Sequence, residues 1–179
     1  MASTQYGNNS AWVSPRTWST NELVTATLLN THLRDQLTAL KTPAYKFVYI
    51  DEASDYTTTS ATFTDVDATN LALTITTGGG DLEIGFSGVI DNSTSGLSYL
   101  DVDIDGTRVG LDDGLIVLVE GSAAARQVAT FVCWKNGVSA ASHTIKLQWK
   151  VSTGTTTMYA GAGTATYDIH PFFWVRELA

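Results

Sequence analysis

From Ala44 onward, apolar side chains recur at every second position in short runs. Leu71, Leu73 and Ile75 alternate with polar partners, and Ile145, Leu147 and Trp149 do the same. A period of two is that of an extended strand, whose successive side chains point to opposite faces of a sheet. Runs of this kind cover 44–51, 60–66, 70–76, 81–90, 97–105, 115–120, 126–134, 143–151, 156–161 and 172–178. Between them stand Gly78-Gly79-Gly80, Asp105-Gly106, Asp113-Gly114, Asn136-Gly137 and Thr153-Gly154, residue pairs that turn a chain back on itself. No second helix of useful length interrupts the series, which excludes a parallel βαβ architecture. Many short strands with uneven connections suit a jelly-roll β-sandwich better than an up-and-down barrel. The expected fold is therefore all-β over residues 43–179.

Upstream, the period changes. In the segment TLLNTHLRDQLTALK, Leu28, Leu29, Leu33, Leu37 and Leu40 fall on one helical stripe. Ser19 and Glu22 stand at capping-box spacing and Thr25 offers a second cap, while Thr42-Pro43 ends the run, because the residue before proline is biased out of the helical region. These signals predict an amphipathic helix over 25–42, about 20 Å or more in length. A lone helix of this size is marginal in water, so its leucines must pack on the β domain or on copies of themselves. Residues 1–24 show neither period, and carry Tyr6, Trp12, Val13 and Trp18 as isolated apolar side chains among Gly, Asn, Ser and Pro. Aromatic anchors on a polar arm are suited to docking against another protein.

Composition narrows the function. The 179 residues are enough for one core plus an appendage. A net charge of −8, with only 10 Lys and Arg, offers no counterpart for phosphate backbones or anionic lipids, so neither nucleic acid nor membrane is an expected partner. The N-terminus has no basic and apolar leader pattern and the chain has no long apolar span, which fits synthesis in a cytosol. Cys133, the lone cysteine, lies in the strand-like run RQVATFVCW and reads as a small buried hydrophobe.

Candidate chemistry is sparse. Asp101, Asp103, Asp105 and Asp112, with Gly106, match the ligand spacing of a calcium loop, apart from Asp in place of the final Glu. Yet Leu100, Val102 and Ile104 alternate with the aspartates as in a strand, whose same-face residues lie about 6.5–7 Å apart and do not converge on one ion. The segment reads instead as an acidic outer strand face ending in an Asp105-Gly106 turn. His32, His143 and His170 lack a second ligand at metal spacing, and there is no GxSxG elbow. Asp51, Glu52, Asp101, Asp103 and Glu120 supply carboxylates that a glycosidase would need, although a solvated face accounts for them without chemistry. The expectation is a protein with no cofactor and no enzymatic activity. Trp134, Trp149 and Trp174 lie in strands, as core or inter-chain packing.

Two stretches resemble known proteins. The pattern Thr17-Trp18, Glu22 to Ala26, Leu28-Leu29-Asn30, His32 to Asp35 and Leu37 to Lys41 is similar to an N-terminal segment of tailed-bacteriophage structural proteins. Asp103-Ile-Asp105-Gly106, His143 to Trp149 and Phe173 to Leu178 resemble the trimeric jelly-roll domains of phage head-decoration and fibre proteins, similar in build to the C1q and tumour-necrosis-factor folds. The resemblance implies a homotrimer in the virion whose arm binds the major capsid protein or another virion protein. Leu29, Leu33, Leu37 and Leu40 would then serve helix packing or the trimer contact. The alternative it implies is a tail-fibre module binding a host glycan or protein through loops such as 91–97, 120–126 and 160–166.

Overall fold

The computed structural model describes residues 16–37, 43–119, 125–161 and 169–178. Tyr6, Trp12, Val13, Leu40 and Glu120 lie outside them.

Among the described residues, twelve strands form two sheets. In chain order they are β1 (Tyr45–Tyr49), β2 (Tyr56–Thr58), β3 (Thr64–Asp65), β4 (Ala72–Thr76), β5 (Gly80–Asn92) and β6 (Leu97–Ile104). There follow β7 (Thr107–Arg108), β8 (Ile116–Val119), β9 (Gln127–Val138), β10 (Ser142–Val151), β11 (Thr156–Met158) and β12 (Phe172–Leu178). The front sheet runs β1-β12-β5-β9, extended by β11 and β2 alongside the far end of β5. The back sheet runs β4-β10-β6-β8, with β3 continuing β4 and β7 continuing β8. All pairings are antiparallel, and the first and last principal strands are neighbours. This is the order of a jelly roll: an open two-sheet sandwich, not a closed barrel. Each expected run holds a strand; the short β2 and β7 are additional.

The core lies between the sheets. Ile84, Phe86, Phe173 and Val175 face inward from the front, and Leu100, Val102, Ile145, Leu147 and Trp149 from the back, each at most 2% exposed. Burying such a side chain stabilises the fold by about 1.5–3 kcal/mol. The sulfur of Cys133 joins this layer, and burial, with the negative charge of Asp101 behind it, pushes its thiol up to about 12. A thiol so placed is not a nucleophile. Toward one end, the hydroxyls of Ser98 and Thr156 bridge the sheets at 2.6 Å.

Turn chemistry follows the sequence with one correction. Asp105 and Gly106 both take positive φ, 53° and 85°, the type I′ requirement for the two-residue turn between β6 and β7. Asn136-Gly137 is not a turn. It is a bulge in β9, where pairing passes from Lys135 opposite Leu82 to Val138 opposite Gly80, with Gly137 at φ 66° and its N–H donating to Asp81 Oδ1. The chain reverses after it, before Ser142.

The N-terminal helix begins at Ala26, capped by Thr25, whose hydroxyl accepts from the Leu28 N–H at 3.3 Å. Ser19 and Glu22 close a separate turn through a reciprocal pair of bonds, with Asn21 at φ 64°. The helical segment Ala26–Leu29 (α1) gives way to a π-helical turn over Asn30–Arg34 before the chain is again helical over 35–37. Leu29, Leu33 and Leu37 are 45%, 56% and 58% exposed, so within one chain these three leucines are uncovered. No helix among the described residues is long and apolar enough to cross a membrane.

Candidate functional site

Because strand side chains alternate, every strand that sends one set inward presents a second set outward, and the outward sets of the two sheets differ in kind. On the front sheet the pairing aligns them in rows. Phe47 is opposite Trp174, Trp174 opposite Gly85, and Gly85 opposite Val132. The next row holds Tyr49, Phe172, Ser87 and Thr130, and the one on the other side Tyr45, Arg176, Glu83 and Trp134. Val128 stands further along β9, 71% exposed.

Glycine at position 85 shapes this surface. A β-carbon there would meet the Trp174 indole at 2.3 Å, so the ring lies flat across the strand only because nothing projects beneath it. Around it, Tyr45 and Phe47 stack at 5.6 Å between centroids, and Phe47 meets Phe172 at 5.7 Å. Tyr49 stacks on His170 at 4.7 Å. One charge pair crosses the face: Arg176 Nη2 lies 2.8 Å from Glu83 Oε1, while Trp134 Nε1 donates to Glu83 Oε2 at 3.3 Å. Tyr49, Val132 and Trp134 are 49%, 47% and 58% exposed. The rows hold one arginine, one glutamate and no lysine, a composition typical of buried interface centres.

Over β3, β6, β7 and β10 the outward set of the back sheet is largely charged and internally satisfied, whereas its edge strand β8 exposes Val117 and Val119, at 40% and 66%. Asp101, wholly buried, accepts from the Val102 and Gly110 N–H groups through Oδ1 and from Arg108 Nη1 through Oδ2. Asp103 Oδ1 accepts from the Gly106 N–H at 2.9 Å. Asp105 binds His143 Nδ1 and the Thr144 N–H, and Asp112 offers its carbonyl to Lys150 Nζ. The four candidate calcium ligands thus serve four separate local arrangements, and no group of three or more metal-type side chains comes together among the described residues. Asp65 receives Lys146 Nζ and Gln148 Nε2, which, against the opposing effect of burial, hold its carboxyl below the usual range. A shallow concavity of about 490 Å³ on this side is lined by Phe63, Asp103, Arg108, Gln148 and Lys150. Arg108 and Lys150 both lie against the Phe63 ring, at 4.2 and 4.9 Å.

Of the remaining candidates, Trp18 is described, 44% exposed, with Arg16 at 5.3 Å over its ring and His32 edge-on at 6.3 Å. Trp149 is core, whereas Trp134 and Trp174 belong to the front face. The partners of those two tryptophans on β1, β9 and β12 were missed as surface residues. Their signal was present: FFWV is apolar in both phases, as strands covered on both faces are, and in YKFVY the outward phase is aromatic throughout.

No family model and no curated protein matches the chain. Among solved structures, the Eiger tumour-necrosis-factor protein of S. frugiperda is similar at TM-score 0.43 and 10% identity, covering 76% of this chain and 94% of its own. The infectious bursal disease virus Gx strain structure is similar at TM-score 0.40 and 15% identity, over 76% of this chain and 37% of that one. The chain therefore spans just over a third of the viral protein. Latent PorU of Porphyromonas gingivalis matches at TM-score 0.35 and 12% identity, over 75% of this chain and 13% of its own. Such scores carry no argument about function, and the fold rests on the strand order itself.

Proposed function

We propose that the chain is a virion structural protein: a homotrimeric auxiliary head protein of a tailed phage, acting by binding and not by catalysis. The observation that carries this reading is the contrast between the two outer faces. An apolar, aromatic front face costs free energy when left in water, whereas the carboxylates and cations across the middle of the back sheet already satisfy one another, and exposed apolar side chains there are confined to its β8 edge. Copies of the chain remove the cost by packing front faces around a common axis, leaving back faces to solvent. Residues 1–24 are then free to dock on the head. At about 3.3 Å per residue, the 18 residues ahead of the Ser19–Glu22 turn would reach up to about 60 Å when extended, far enough to cross a neighbouring subunit. Three arms per trimer convert weak contacts into firm attachment, because each later contact is made at high local concentration.

The test is cosedimentation with phage heads assembled without this protein. Full-length protein pellets with the heads, and a variant lacking residues 1–24 remains a trimer but stays in the supernatant. If the shortened variant pellets equally well, the arm is not the anchor. If neither pellets while both bind host envelope glycans, the tail-fibre reading replaces this one, with the concavity beside Phe63 as its first candidate surface.

A further inference from the structure

One end of the sandwich is closed by a titratable group facing charges from both sheets. His143, on the inward face of β10, is 7% exposed. Its Nδ1 lies 2.7 Å from Asp105 Oδ2 in the β6–β7 turn, and its Nε2 lies 2.9 Å from the Ser139 carbonyl in the β9–β10 connection. Both neighbours are acceptors. A neutral imidazole has one N–H and satisfies only one of them; the imidazolium has two and satisfies both. Glu177, on β12 of the front sheet, adds a second carboxylate that acts on His143 through space, while its Oε1 accepts from the Gly78 N–H at 2.7 Å. Thr77 ties the same corner, donating through its hydroxyl to the Ser139 carbonyl at 2.7 Å. Ile75, opposite His143 on β4, brings no charge. The facing charged groups are therefore Asp105 from the back sheet and Glu177 from the front.

We propose that His143 is held as an imidazolium and acts as a proton-controlled clasp joining the β6–β7 turn to the β9–β10 connection at this end of the sandwich, which loosens when the proton leaves. The hydrogen bonds from His143 to Ser139 and Asp105 raise its pKa above the ordinary 6.5 against the opposing effect of burial. The clasp therefore holds fully below that value and releases as pH rises through the folded one.

The experiment is a nitrogen-detected NMR titration of the His143 ring in the full chain, run beside amide exchange. The proposal expects both ring nitrogens protonated at pH 6.5, a midpoint above it, and faster exchange at Thr77, Gly78 and Gly79 once the midpoint is passed. Asp105→Asn keeps an acceptor but removes a charge, and is expected to move the midpoint down; Glu177→Gln does the same through the other sheet. A neutral single tautomer at pH 6.5, or exchange at those three amides indifferent to the titration, overturns the clasp. Should either variant not fold, the wild-type titration still decides.

Discussion

A single missing β-carbon shapes the front face. With alanine at position 85, the methyl collides with the Trp174 indole, and the ring must lift off the sheet. Trp174 sits outside the core, so Gly85→Ala is expected to cost no more than about 1–3 kcal/mol of folding stability while weakening self-association at least tenfold, read by sedimentation equilibrium. Asp101 gives the opposite outcome. Its buried carboxylate holds two backbone N–H groups and Arg108, so Asp101→Ala is expected to cost about 3 kcal/mol in denaturant unfolding. Because that carboxylate already has its partners, adding calcium or a chelator should leave the wild-type melting temperature unchanged; a rise with calcium would restore the loop reading. Titration adds a third prediction. Asp65 and Asp105 titrate below their ordinary value, so their stabilisation exists above pH 3.8 and is lost as pH falls through the folded values. His143 titrates above 6.5, so its share is lost as pH rises. Stability against denaturant should therefore peak between those limits and fall on both sides; a plateau through pH 8 would contradict the assignment.

At the scale of elements, the strands were legible because alternation is a direct consequence of backbone geometry, and the Asp105-Gly106 turn because only certain residues accept positive φ twice in succession. Besides the three-residue β2, three things were not legible. Asn136-Gly137 carries the same turn signal whether it reverses the chain or bulges a strand, and only the pairing of β9 with the irregular start of β5 decides. The two-residue β7 has no period to read. The π-helical turn at Asn30–Arg34 leaves no residue signature, yet it affects the stripe: leucines spaced by four drift around an ordinary helix of 3.6 residues per turn, and a wider turn reduces the drift. Leu33 is more than half exposed in one chain, so Leu33→Asp is expected to leave the melting temperature of the sandwich within about 0.5 kcal/mol equivalent of wild type. A large loss would mean that the stripe packs on its own β domain after all.

For the whole molecule, the outward faces carry the argument. Alternation shows which residues share a face, but not which face meets solvent, and that distinction needed the rows that run from β1 to β9 across the front sheet. Once those rows are placed, a both-phase apolar run such as FFWV becomes intelligible as a strand awaiting cover on its second side. The measurement that tests this most directly is the molar mass of the full-length chain by light scattering, beside the variant Val132→Lys/Trp134→Lys. The account predicts about 58 kDa for the wild type, three times the 19.2 kDa chain, and 19.2 kDa for the variant with its β-sheet circular dichroism intact. A wild-type mass of 19.2 kDa would contradict it, and so would a variant that keeps the trimer with two lysines on the front face.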